Sequence, residues 1–297
     1  MTNPRTKVIT LINQKGGVGK STMTMNLAAC VAEVLLAKLP PTAHSPVAVV
    51  SVDPQGSAKW WADRMGPAAV PFYLIQADDD PLEWLRQMNS IEGISHLFVD
   101  TPGWHDTNPD NTEDGLEASY SGDVLRTVLD VSDEFIVPMK AAPLCFDPTV
   151  RTIEKLILPR GKKFTVVVNE HDTLRGDKRL AKTRDFVLQR KWPIAETAIR
   201  LYSVHTDASA ERLLVPEYKE LVSAAQVQNY YNVRTELWAT TDKERRGAIE
   251  KTIPPELKAA DDFYRLVDEL DLAGPASNRA SVERSEGPSA LALGAAK

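Results

Sequence analysis

The chain has 297 residues, 43% hydrophobic and 26% charged, which suits one large globular domain or two small ones. Its formal net charge of −6 excludes a global attraction to DNA or anionic lipid, so nucleic-acid binding needs a local basic patch. Two cysteines far apart in apolar settings, Cys30 and Cys145, and five scattered histidines speak against a zinc site and fit a reducing compartment. With no apolar signal region and no apolar run of about 18 residues, a soluble cytoplasmic protein is expected.

In chain order, residues 7–13 predict a strand and 20–38 a helix, separated by a glycine-rich loop. The turn-rich connector 39–46 leads to a short apolar run, Val47 to Val52, that ends in Asp53. Helical patches follow at 60–65 and 81–88. A second apolar run, Ile94 to Val99, ends in Asp100. Residues 104–123 hold six acids and no Lys or Arg, an acidic, turn-rich loop. A helix at 123–131 precedes strands at 134–138 and 163–168. A basic helix is expected at 175–191, a strand-like piece at Pro193–Thr197, and helices at 205–214, 217–240 and 254–271. From Gly274 onward Gly, Ser, Ala and Pro dominate, which predicts a disordered tail after a domain spanning 1–272. Alternating strands and helices imply an α/β fold, a mostly parallel twisted sheet covered by helices on both faces. Ligands bind such sheets beyond the carboxyl ends of the strands.

The loop Lys15-Gly16-Gly17-Val18-Gly19-Lys20-Ser21-Thr22 stands at such an end. It fits the second half of the phosphate-loop pattern, but Gln14 occupies the position of the first glycine. Successive glycine N–H groups at a helix N-terminus form an anion nest. Lys20 is placed for the β/γ-phosphates, Ser21 for Mg²⁺ and Thr22 for the α-phosphate of a bound nucleotide. Lys15 is surplus, since one lysine already serves the phosphates; it must point elsewhere or meet a solvated partner. Asp100, an acid closing a buried strand downstream of such a loop, fits a water-mediated Mg²⁺ partner. One Mg²⁺ needs only one or two carboxylates, which leaves Asp53 free to orient or deprotonate the attacking water.

With KGGVGKST at 15–22, DPQGSA at 53–58, VDTPG at 99–103 and a weaker match from Glu196 to Ala208, the chain resembles the ParA family of partition ATPases, in the MinD/ParA group of deviant phosphate-loop proteins. The likeness covers roughly residues 7–235. It implies an ATP-dependent homodimer with two Mg·ATP sandwiched between subunits and a slow hydrolysis rate. Lys15 would reach across to the partner subunit's phosphates, and Gly17 would let the two loops approach. Asn169 and the backbone near Ile199 would read the adenine. Residues 53–64 and 101–123 would be switches. The cofactor-binding set is then Lys15, Gly16, Gly17, Val18, Gly19, Lys20, Ser21, Thr22, Asn169 and Ile199, with Lys15, Lys20 and Asp53 catalytic.

The same resemblance implies that the ATP-bound dimer binds nucleoid DNA without sequence preference until a ParB-type centromere-binding partner triggers hydrolysis. Two basic clusters are candidates for that contact: Arg175, Lys178, Arg179 and Lys182, and Lys243, Arg245 and Arg246. Only fourteen residues precede Lys15, so no operator-binding domain is expected ahead of it. The alternative is a MinD-like ATPase positioning a membrane or non-DNA cargo. Its basic amphipathic C-terminal helix does not match the tail, so no membrane partner is expected. An iron–sulfur electron-transfer ATPase needs paired interface cysteines, and Cys30 lies inside the first helix.

Overall fold

The computed structural model describes residues 5–66, 69–104, 114–175 and 177–274. Residues 275–297 of the tail expected from Gly274 onward, and residues 105–113 of the acidic loop, lie outside them. In chain order the elements are β1 (Lys7–Leu11), α1 (Lys20–Leu36), β2 (Val47–Ser51), α2 (Ser57–Met65), β3 (Tyr73–Gln76), α3 (Leu82–Arg86), β4 (His96–Asp100), α4 (Tyr120–Val131), β5 (Glu134–Lys140) and α5 (Phe146–Arg151). α5 runs on through a π-helical turn, Thr152–Ile157. Then come β6 (Lys163–Asn169), α6 (Lys178–Gln189), α7 (Val204–Glu211), α8 (Ala224–Ala239), α9 (Lys243–Glu250) and α10 (Pro255–Glu269).

The strands form one parallel sheet in the order β3-β2-β4-β1-β5-β6. β2 and β4 are wholly buried runs, as a parallel strand covered on both faces must be. On one face α1, α2, α7 and α10 share a core with Leu11, Val49, Phe98 and Val167. On the other, α4 and α5 pack against Phe135, Val137 and Val166. α1 is buried nearly all round because it lies between the sheet and α10. The register sets Leu11 and Ser51 on either side of Asp100. The loops after β1 and β2 and the last residue of β4 therefore meet at one end of three adjacent strands.

Three expectations need correction. β3, α5 and α9 lie where the sequence predicts no element. The piece Pro193–Thr197 is not a sheet strand; it touches β6 through an isolated bridge, Val166 to Ile194. Ala195 and Ile199 donate backbone N–H groups to Val166 and Val168 of β6. The N–H groups on its other side are capped by carboxylates of α10: Glu196 (2.6 Å) and Thr197 (2.9 Å) donate to Glu269, and Arg200 to Asp262 (2.9 Å). These carboxylates end the sheet by satisfying donors that would otherwise recruit another strand. The Arg200 guanidinium reinforces the seam with Asp262 at 2.7 Å and Glu250 at 3.2 Å. The long helix expected at 217–240 divides into a 3-10 segment, Val215–Glu220, and α8, because Ser223 starts a new helix with a capping box to Gln226.

Candidate functional site

The glycine loop leaves β1 and turns into α1 at Gly19, whose φ of +88° is left-handed. A Cβ there would lie 2.1 Å from the Asn169 amide nitrogen, so glycine is required twice over, by conformation and by space. Gly103, after β4, approaches the loop from the other side: a Cβ on it would stand 3.1 Å from both the Gln14 carbonyl and the Gly16 nitrogen. Trp104 donates its N–H to that carbonyl at 3.2 Å. Lys15, Gly16 and Gly17 are exposed, and Ser21 and Thr22 half-buried. All line a cleft of about 840 Å³, together with Gly19, Lys20, Asp53, Gln55, Pro102 and Gly103.

The two lysines of the loop are in opposite situations. Lys20 is buried, its ammonium donating to the carbonyls of Asn13 (3.1 Å) and Lys15 (3.3 Å). Burial lowers its pKa, and the carboxylates of Asp100 and Asp53 pull it back up. Lys15 forms no side-chain hydrogen bond or ion pair among the described residues; only its backbone N–H is tied, to Asn13 Oδ1 at 2.9 Å.

Asp100 is fully buried, and neither carboxylate oxygen has a hydrogen-bond partner among the described residues. Burial raises its pKa to about 7, Asp53 adds to the rise, and Ser21 and Lys20 oppose it. A buried carboxylate left without donors costs free energy unless a cation or ordered water meets it. Asp100 and Ser21 thus fit a hard, oxygen-seeking Mg²⁺, which takes few protein ligands and keeps water and phosphate oxygens for the rest. Asp53 is half-buried, with Oδ1 accepting from the Gln55 N–H at 2.9 Å and its carbonyl accepting from Gln76 Nε2 at 2.9 Å.

The structure brings Lys15, Gly16, Gly17, Val18, Gly19, Lys20, Ser21, Thr22, Asp53 and Asp100 together. Asn169 is close, but its amide nitrogen donates to the Val18 carbonyl at 2.8 Å. Ile199 is buried, with its N–H donating to Val168 and its carbonyl accepting from His171. The basic clusters lie elsewhere, on α6 and α9, while Arg175 closes a short 3-10 turn ahead of α6. Sequence reasoning did not find Asn13, Gln76, Thr149 or Thr152; a hydroxyl pair three residues apart was their only signal, and it says nothing without knowing what the helix packs against. Nor did it find the counter-charge of the acidic loop. Arg126 of α4 binds Asp114 through two bonds of 2.8 and 3.0 Å and donates to the Leu116 and Glu117 carbonyls.

A glycine loop opening a helix, with acids at the ends of the neighbouring parallel strands, is the arrangement of a P-loop nucleotide-binding fold. A family profile described as an AAA domain matches residues 6–60, which span the loop and Asp53. The chain is 30% identical over 231 residues to the maintenance of carboxysome distribution protein A of Gloeobacter kilaueensis, covering 78% of this chain and 94% of that protein. It is 35% identical over 102 residues to the chromosome-partitioning ATPase Soj of Thermus thermophilus, 34% of this chain and 35% of that one. Among solved structures, the septum site-determining protein MinD of Pyrococcus horikoshii, complexed with Mg-ADP, shares the fold with a TM-score of 0.52 at 14% identity, over 90% of this chain and 97% of that one. The chain belongs to the ParA family, within the ParA/MinD group of P-loop ATPases.

Proposed function

We propose that the protein is an Mg²⁺-dependent ATPase whose ATP-bound dimer sits on DNA and is released when a ParB-type partner stimulates hydrolysis. The observation that carries the reading is the exposed Lys15, whose side chain has no partner among the described residues, at the mouth of a phosphate cradle that already has its own buried lysine. The N–H groups from Gly16 to Thr22 bind the phosphates, and Lys20 leaves its parking carbonyls for the γ-phosphate. Ser21, and Asp100 through water, would hold Mg²⁺, which when bound would supply positive charge against the phosphates. Asp53 orients the attacking water, and Lys15 of the partner subunit stabilises the charge that develops in the transition state. Asn169 and the backbone near Ile199 recognise adenine.

The charge distribution favours α6 as the DNA face. Lys178, Arg179 and Lys182 are exposed and form no ion pair among the described residues. On α9, Arg245 is engaged by Glu236 at 2.6 Å and Arg246 donates to the Thr240 carbonyl at 2.8 Å, while Lys243 is exposed. If about six phosphates are neutralised, log K falls with log salt at a slope near −5. The expected result is DNA binding that needs ATP, ignores sequence, follows this slope, and weakens strongly on replacing Lys178 and Lys182 by Glu. Equal binding without nucleotide, or binding indifferent to salt, overturns the reading. The relative named for carboxysome distribution favours a second reading of the cargo, a protein body instead of a DNA molecule, carried by the same cycle. Co-purification of the stimulating partner decides: a centromere-site DNA binder supports the first, a protein bound to a cellular body the second.

A further inference from the structure

Beyond Ile12 the chain leaving β1 is tied by side chains. Ile12 itself donates a backbone bond to Ile136 at 3.0 Å. The N–H groups of Gln14 and Lys15 go to side chains: Gln14 N–H to the Thr152 hydroxyl and Lys15 N–H to Asn13 Oδ1, each at 2.9 Å. Asn13 is itself fully buried and pinned, its amide nitrogen donating to the Pro138 carbonyl and the Thr149 hydroxyl at 2.9 Å each. Both threonines are fully buried on α5 and its π-helical extension. Each spends its hydroxyl proton on the carbonyl four residues back, Thr149 to Cys145 at 2.7 Å and Thr152 to Pro148 at 2.8 Å. That back-bond turns the oxygen into a pure acceptor toward the loop. Thr152 opens the π-helical turn, a local irregularity of the kind that recurs at functional sites.

These bonds converge on the two residues that aim Lys15, not on the nest of Gly16–Gly19. A lysine that must reach a phosphate from an exposed loop has a long, freely rotating stem, so its useful fraction of conformers depends on how firmly its backbone is fixed. We propose that Thr152 and Asn13, the latter held by Thr149, are positioning residues that set the backbone of Lys15 for hydrolysis without contributing to nucleotide binding. The inference rests on the reading of Lys15 as a catalytic group.

The test measures ATP turnover and ATP affinity of the full chain for Thr152→Val, Thr152→Ser, Lys15→Ala and the double variant Lys15→Ala/Thr152→Val. Valine keeps the shape and removes the acceptor. The expected result is a kcat about tenfold lower for Thr152→Val, with ATP affinity within about twofold of the parent. Thr152→Ser restores turnover, and the double variant is no slower than Lys15→Ala alone. Full turnover in Thr152→Val, an equal loss in Thr152→Ser, or a parallel loss of ATP affinity overturns the inference. Normal turnover in Lys15→Ala rejects the underlying reading instead, so the two failures are distinct. Should Thr152→Val not fold, Thr149→Val, which unpins Asn13, is judged by the same outcomes.

Discussion

Replacing Lys15 by alanine is expected to leave ATP binding nearly intact while abolishing hydrolysis and ATP-dependent dimer formation. The cradle does not depend on that side chain: the nest is backbone, Lys20 and Ser21 are separate, and the Lys15 N–H keeps its bond to Asn13 in the variant. What disappears is a positive charge that has no partner among the described residues. An arginine supplied across an interface accounts for about 10³–10⁵ in rate. A lysine lacks the planar fork and acts as a point charge, so a loss on the order of 10²–10³ is expected. Nucleotide binding by fluorescence, steady-state hydrolysis and size exclusion with ATP separate these effects. A mixing experiment addresses the trans geometry. A Lys15→Ala subunit has a complete cradle, and a Lys20→Ala subunit has a complete Lys15; together they form one working site, so the mixture regains activity that neither has alone. No regain, or normal hydrolysis by Lys15→Ala, leaves Lys15 an ordinary surface lysine.

The site was legible because its parts are short-range. Lys15 to Thr22 are consecutive, and Asp53 and Asp100 each close a run of apolar residues, so the rule that parallel strands deliver ligand groups at their carboxyl ends places all three together. β3 escaped notice because it has four residues, follows Pro71-Phe72 and runs into Asp78-Asp79-Asp80. α5 did so because Pro148 within it and Pro159 beyond it read as turn signals, although Pro148 sits in the first turn, where a missing N–H does no harm. The bonds that hold Asn13 and Gln14 span 136 and 138 residues, beyond any local pattern. Charge counting rated the two basic clusters alike; only the fold shows that Glu236, nine residues before Arg245, neutralises part of one.

Replacing Asp100 by asparagine should move stability and cofactor binding in opposite directions. In the folded chain the carboxyl titrates near pH 7, against 3.8 for the free group, chiefly through burial. A folded pKa above the unfolded one means that the group's contribution is fully present below about pH 4 and is lost as pH rises through 7. At pH 8 the nucleotide-free protein therefore carries a buried charge that Ser21 and Lys20 offset only in part. The shift corresponds to about 4 kcal/mol at most, and water entering the open cleft reduces it to on the order of 2 kcal/mol. Asparagine removes that charge. Urea unfolding without nucleotide should show the variant about 2 kcal/mol more stable than the parent at pH 8, with the gap closing near pH 4. With Mg²⁺ and ATP the order reverses, because the parent gains the binding free energy of the loaded site and the variant has no carboxylate to face the cation's water shell. A variant that Mg·ATP stabilises as strongly as the parent would remove Asp100 from the metal site. One that is less stable than the parent at pH 8 would mean that its carboxylate is already met by donors in the empty protein.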